Sequence, residues 1–224
     1  MSNHYGPTPV TSGLVFSFDP GNIKNYAGSG TVVNERVGGA GVGTATSTTY
    51  NSTLGGFMIY NGSSSMVTFN DNTALNTQAV TVEVWVNTNA VNQNGFWFEK
   101  GSVNSQYALF QEGASIQWRL GPLGDLSIPT PTTMDPFTWY QVVGTYTSGD
   151  RRVFINGIQV GSNATTGLLS TNNSGMSIGV YGGATGARGY YFNGSIAIVR
   201  VYGRNLSLAE VVQNFNANRR RFGI

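Results

Sequence analysis

Residues 80–87 read Val-Thr-Val-Glu-Val-Trp-Val-Asn, and this stretch limits the possible folds more sharply than any other in the chain. A period of two puts Val80, Val82, Val84 and Val86 on one side of an extended strand and Thr81, Glu83, Trp85 and Asn87 on the other. A helix would scatter the four valines around its circumference, so the segment is a strand with one dry face. The opposite face carries a carboxylate, an indole and an amide at alternate positions. It is either open to a ligand or covered by another part of the chain.

Segments of the same kind recur along the sequence, among them "GLVFSFD", "GFMIYNG", "SMVTFN", "GFWFEKG", "QYALFQEG", "SIQWRLG", "TWYQVVGTYT", "MSIGV" and "SIAIVRVY". Gly, Ser, Thr and Asn separate them, and charged residues make up only 10% of the chain, a composition poor in helix formers and rich in turn formers. Many short strands with tight turns point to an antiparallel sandwich or jelly roll rather than to a βαβ scheme. Asn156-Gly157 within "VFINGIQV" is a two-residue hairpin turn, since both positions of such a turn need positive φ. Residues 38–56, rich in Gly and Thr, read as a long loop crossing between sheets with room for a short strand. With 224 residues the chain suits one large β domain, and without cysteine its fold rests on core packing and hydrogen bonds.

One helix is expected, in "NLSLAEVVQNFNANRRR". Ser207 and Glu210 have capping-box spacing, and Leu208, Val211, Val212 and Phe215 follow at i, i+3, i+4 and i+7 as an apolar stripe that would dock on the sandwich. The expected organisation is an extended arm over 1–12, a jelly-roll sandwich over 13–205, and a capped helix with a basic tail over 206–224. The net charge of +2 depends on Arg219, Arg220 and Arg221, without which the body stands at about −1. Those arginines either complement the helix dipole or anchor a partner. The body has no clustered cations for a nucleic-acid backbone, the start lacks the basic and apolar segments of a secretory signal, and no apolar run is long enough for membrane insertion.

"GPTPVTSGLVFSFDPGNIKNYAGSGT", "VTVEVWVN", "TWYQVVGTYTSGDRRVFINGIQVGS" and "YFNGSIAIVRVYGRNLSLAEVVQNFNANRRRFG" together resemble laminin G-like, concanavalin A-like domains, in the version found in structural proteins of tailed-phage virions. The resemblance runs over nearly the whole chain. It implies an all-β fold: a two-sheet antiparallel jelly-roll sandwich, concanavalin A-like, with one short C-terminal α-helix. It also implies glycan binding in many members and calcium in some. Relatives typically carry an aspartate in the loop where this sequence has Ser63, Ser64 and Ser65. Asp19, Asn70, Asp71 and Asn72 offer oxygens, but few of them are the carboxylates calcium prefers. The expectation is therefore no cofactor, with Asp19, Asn70 and Asp71 as the candidate ligands should calcium bind.

Catalytic constellations are hard to assemble. Glycoside hydrolysis ordinarily uses two carboxyl groups across the scissile bond, and the Glu83 face supplies one. Glu99 and Glu112 lie on other strands, with nothing in their spacing to bring them to it. His4 is the single histidine and falls in the arm, which excludes a Ser-His-Asp triad, and no glycine pattern matches a phosphate loop. The chain is expected to be non-enzymatic.

Binding remains. Sugar rings stack on aromatic rings through their C–H faces, while their hydroxyls pair with amides, carboxylates and guanidinium groups. Two candidate glycan sites follow: the Glu83, Trp85 and Asn87 face, if open, and the loop "YGGATGARGYY" with Tyr181, Arg188, Tyr190 and Tyr191. Trp97, Trp118 and Trp139 are expected in the core or in a subunit interface. The reading is a non-enzymatic virion surface protein of decoration or fibre type, made in the host cytoplasm and displayed on the phage particle. Its expected partners are host or environmental glycans, other virion proteins and further copies of itself, with the arm and Arg219–Arg221 as anchors. The rival readings are a purely architectural capsid-cementing protein and a free lectin or degenerate glycoside hydrolase.

Overall fold

The structure, a computed structural model, describes residues 6–35, 37–39, 41–101, 106–129, 134–182 and 188–224; His4 lies outside them. Among the described residues the strands are β1 (Leu14–Phe18), β2 (Val32–Asn34), β3 (Val42–Thr46), β4 (Thr49–Asn51), β5 (Phe57–Asn61), β6 (Met66–Phe69), β7 (Val80–Thr88), β8 (Gly95–Lys100), β9 (Tyr107–Glu112), β10 (Ser115–Arg119), β11 (Asp125–Pro129), β12 (Trp139–Thr147), β13 (Asp150–Ile155), β14 (Ile158–Asn163), β15 (Met176–Ile178) and β16 (Asn193–Tyr202). A helix α1 (Leu208–Asn218) follows, continued by a 3-10 turn over Arg219–Phe222. No described helix is long and apolar enough to cross a membrane.

The strands form two antiparallel sheets. The first runs β14-β13-β12-β7-β16-β5-β4, with β1 also pairing β16, and the second runs β11-β10-β9-β8-β15-β6-β3-β2. Strand β16 is long enough to pair β5 along its first half and β1 along its second. Between the sheets lies the core. Val80, Val82, Val84 and Val86 are fully buried there beside Trp97, Trp118, Tyr107 and Phe16, and each valine contributes about 1.5 kcal/mol by leaving water. Gly144 is required at its position, because a Cβ there would lie 2.5 Å from the Trp118 ring. That close approach lets the indole N–H donate to the Thr145 carbonyl at 3.1 Å.

Several local expectations hold. Asn156 (φ 50°) and Gly157 (φ 78°) make the tight turn between β13 and β14. Residues 38–56 cross from one sheet to the other, contributing two short strands, β3 and β4, rather than one. Ser207 and Glu210 close a reciprocal capping box at the start of α1. The helix stripe is different from the expected one. Leu208 is 50% exposed, whereas Asn214 is buried, because α1 seats on a buried polar cluster as well as on apolar side chains.

That cluster ties the arm to the body. The Val10 amide donates to Asn214 Oδ1 at 2.8 Å, and the Tyr202 hydroxyl donates to the Val10 carbonyl at 3.0 Å. The described part of the arm therefore lies along α1 and the first sheet, and does not project as a free anchor.

Candidate functional site

The outer face of the first sheet, the expected glycan floor, is closed. Glu83 and Trp85 are fully buried beneath α1 and the C-terminal turn. Trp85 stacks on Phe222 with ring centres 4.4 Å apart, and Phe215 lies parallel to it at 6.0 Å. Glu83 accepts four hydrogen bonds: from Trp85 Nε1 (3.1 Å), Gln141 Nε2 (2.9 Å), Arg200 Nη1 (3.2 Å) and Asn214 Nδ2 (2.9 Å). A buried carboxylate is tolerated only when so surrounded. Asn87 stays half-buried at the edge of this face, paired across the sheet with Trp139. Glu83 and Trp85 thus fasten the C-terminal segment, and in this structure no sugar ring can reach them.

The other candidates divide as well. Asp19 is held by Arg221, whose guanidinium donates to both carboxylate oxygens (2.7 and 3.1 Å) and also to the carbonyls of Leu54, Gly55 and Gly56. Arg221 is therefore a clasp between the tail and the body, and is not available to anchor a partner. Arg219 and Arg220 are exposed, the former 5.9 Å from the Phe215 ring. Asp71 pairs with the fully buried Lys100 at 2.7 Å, while Asn70 is exposed. No three acidic, histidine or cysteine residues converge as a metal cluster among the described residues. The two candidate carboxylates are instead committed to cationic side chains.

The tyrosine loop leads to an open site on the outer face of the second sheet. Strands β8 and β9 set Phe96 directly opposite Phe110, and the rings stack at 4.1 Å, within 5° of parallel. Arg119, on the next strand, lies 4.7 Å from the Phe110 ring. Asp125 across β11 holds its guanidinium through two bonds of 2.9 and 2.8 Å, and this pairing keeps the arginine's pKa raised. A bulge between Phe96 and Phe98 shifts the alternation of β8, so that Glu99, opposite Ala108, shares the outer side with Phe96.

Glu99 then positions the loop. Its Oε2 accepts from the Gly182 amide at 2.6 Å and from the Ser177 hydroxyl at 3.2 Å. Tyr181 and Gly189 pair as an isolated bridge, and the Phe96 amide donates to the Tyr190 carbonyl at 3.2 Å. These bonds bring Tyr181 to 4.9 Å and Tyr190 to 6.3 Å from Phe96. Burial, and then the field of Glu99, raises the Tyr181 pKa, so its hydroxyl is protonated and able to donate at neutral pH. Tyr190 is 54% exposed and has positive φ (48°), a strained backbone for a bulky residue that holds its ring at the rim.

The result is a cleft of about 330 Å³ with aromatic walls formed by Phe96, Phe110, Tyr181 and Tyr190 and polar edges formed by Asn94, Gln111, Glu112 and Arg119. Of the four loop residues expected from the sequence, Tyr181 and Tyr190 line it. Arg188 is exposed and Tyr191 half-buried, outside the lining. Phe96, Phe110, Asn94, Gln111 and Arg119 were missed. The single charged residue in "SIQWRLG", Arg119, was the one available signal. Glu112, considered only as an acid, is exposed at the edge, and Glu99 is buried under the loop.

The chain belongs to the concanavalin A-like lectin/glucanases superfamily, whose laminin G-type model matches residues 61–212. No curated protein sequence matches it. Among solved structures, domain 4 of AbnA, a GH43 extracellular arabinanase from Geobacillus stearothermophilus in complex with arabinotriose, superposes with a TM-score of 0.69 at 17% identity, covering 92% of this chain and 100% of that one. A structure of botulinum neurotoxin type C, whose cell entry is described as dependent upon interaction with two ganglioside molecules, gives 0.70 at 14%, covering 92% of this chain and 51% of that one. Trypanosoma rangeli sialidase in complex with sialic acid gives 0.67 at 13%, with 96% and 36% covered. The chain thus spans about half of the toxin structure and a third of the sialidase. At these identities the likeness is one of fold.

Proposed function

We propose that this domain is a non-enzymatic glycan-binding module displayed on the surface of a phage particle. The observation that carries the binding reading is the cleft itself: exposed and half-exposed tyrosine rings over a Phe96–Phe110 stack, edged by an arginine, a carboxylate and an amide. Such a surface offers C–H stacking and hydroxyl pairing in one place. The arabinanase domain solved in complex with arabinotriose, matched over its whole length, supports it.

The non-enzymatic reading rests on the acids. Glu112 is the one carboxylate among the described residues lining the cleft, and Glu99 beneath it is engaged by a backbone amide and a hydroxyl. Among the described residues the cleft does not present a second carboxyl group to pair with Glu112 across a scissile bond. The virion reading rests on the resemblance of the opening and C-terminal segments to tailed-phage proteins.

A glycan array with the wild type, Tyr181→Ala and Arg119→Ala tests the binding site. Signals that fall at least tenfold in both variants are expected, whereas undiminished signals would exclude the cleft. Mass spectrometry of purified particles tests the location. A capsid-cementing role is the second reading, favoured by the notch of about 320 Å³ where exposed Arg219 and Arg220 meet Gly6, Pro7 and Asn216. Particles that lose the protein on Arg219→Glu/Arg220→Glu substitution, together with a silent array, would favour it.

A further inference from the structure

The charge and hydrogen-bonding inventory of the cleft narrows its ligand class. We propose that it selects neutral saccharides presenting adjacent hydroxyls and discriminates against sugars that carry a carboxylate. This rests on the glycan-binding reading above and goes one step further.

Charge comes first. Arg119 supplies the cleft's positive group, but Asp125 already neutralises it through two bonds and draws the guanidinium against the second sheet. Glu112 lies at the same edge, where its field acts on Arg119, and its side chain makes no hydrogen bond or close salt bridge among the described residues. Arg119, its partner Asp125 just outside the lining, and Glu112 together leave this edge with one net negative charge. Arg188, exposed on the neighbouring loop, is not part of the lining. A bound carboxylate would meet Glu112 at a few ångströms in partly wet surroundings, a repulsion of roughly fivefold or more in affinity.

A cationic ligand is no better placed. The cation–π position over the two phenylalanines is already filled by Arg119, 4.7 Å from Phe110 and 6.0 Å from Phe96.

Hydrogen bonding then favours hydroxyls. A guanidinium has about five N–H groups, of which Asp125 engages two, so donors remain for a ligand. Asn94 uses its carbonyl oxygen on the Gly113 amide and keeps its amide N–H groups. Glu112 is an acceptor, and the Tyr181 and Tyr190 hydroxyls both donate and accept. Gln111 is occupied, its amide bonded to the Val91 and Gly113 carbonyls. Donors and acceptors on facing edges suit a pair of neighbouring hydroxyls, each of which can give to Glu112 while taking from Arg119 or Asn94. A carboxylate group placed at that edge can only accept, so it offers Glu112 no donor in exchange for the hydroxyl it replaces.

The test uses an array in which each core oligosaccharide appears in neutral and in sialylated or uronate-bearing form, followed by titration calorimetry at low and high salt. The wild type is expected to bind the neutral member at least fivefold more tightly, with the gap narrowing as salt rises. Glu112→Lys is expected to abolish or reverse the preference, and Glu112→Gln to reduce it. Equal or tighter binding of the charged member, with the ratio unmoved by either substitution, would overturn the selectivity. If binding survives Tyr190→Ala and Arg119→Ala, or no glycan of either class binds, the site reading itself fails and the selectivity falls with it.

Discussion

Replacing Glu83 with alanine separates a structural from a ligand-binding role on the first sheet. The carboxylate is fully buried and satisfies donors from Trp85, Gln141, Arg200 and Asn214. Its loss leaves the Arg200 side chain, 9% exposed, without its counter-charge. Breaking a buried pair from one side costs about 3–5 kcal/mol, and a value near the middle corresponds to a fall in Tm of about 8–16 °C for a domain of this size. Urea unfolding followed by tryptophan fluorescence and circular dichroism measures it. Arg200→Met alone should also destabilise, and the double variant should lose clearly less than the sum, because it leaves no stranded charge. A loss below about 1 kcal/mol for Glu83→Ala, with additive double-variant behaviour, would show that the cluster does not fasten the C-terminal segment.

Other consequences concern the remaining ion pairs. Lys100→Met removes an ammonium bonded to Asp71 (2.7 Å), the Ser174 carbonyl (2.6 Å) and the Asn172 carbonyl (3.2 Å), and should cost about 2–4 kcal/mol by equilibrium unfolding. Because Asp19 and Asp71 are committed to Arg221 and Lys100, chelator or millimolar calcium should leave the melting temperature unchanged; a rise of several degrees with calcium would contradict this. Hydrogen bonding to Arg204, and then to Ser207, lowers the Glu210 pKa from 4.5 to about 2. Its contribution to the helix start is thus full above the unfolded value and fades as pH falls towards 2. Amide exchange at Val211 should show that fading, and Glu210→Gln should remove the pH dependence.

The features read correctly from the sequence are those fixed by near neighbours. Asn156-Gly157 and Ser207–Glu210 depend on two and four consecutive residues, and the valines of β7 declare their face by alternation alone. Alternation names two faces of a strand but not which is covered. The partners that cover Glu83 and Trp85 are Asn214 and Phe222, more than 130 residues away. The cleft was hidden for a related reason: Phe96 meets Phe110 only through the register of β8 and β9, and the bulge at Phe96–Phe98 displaces the simple period. Asp71 looked available for a metal because its partner, Lys100, lies 29 residues on. The tyrosine loop was visible because its rings are clustered in sequence.

The central claim is that ligand engages the second sheet and not the first. Chemical-shift mapping of the isotope-labelled protein during titration with the best neutral oligosaccharide from the array tests it most directly. Perturbations should concentrate on Phe96, Phe110, Arg119, Tyr181 and Tyr190, with Trp85, Asn214 and Phe222 silent. Shifts centred on Trp85 and the C-terminal helix, with the cleft unmoved, would contradict the account.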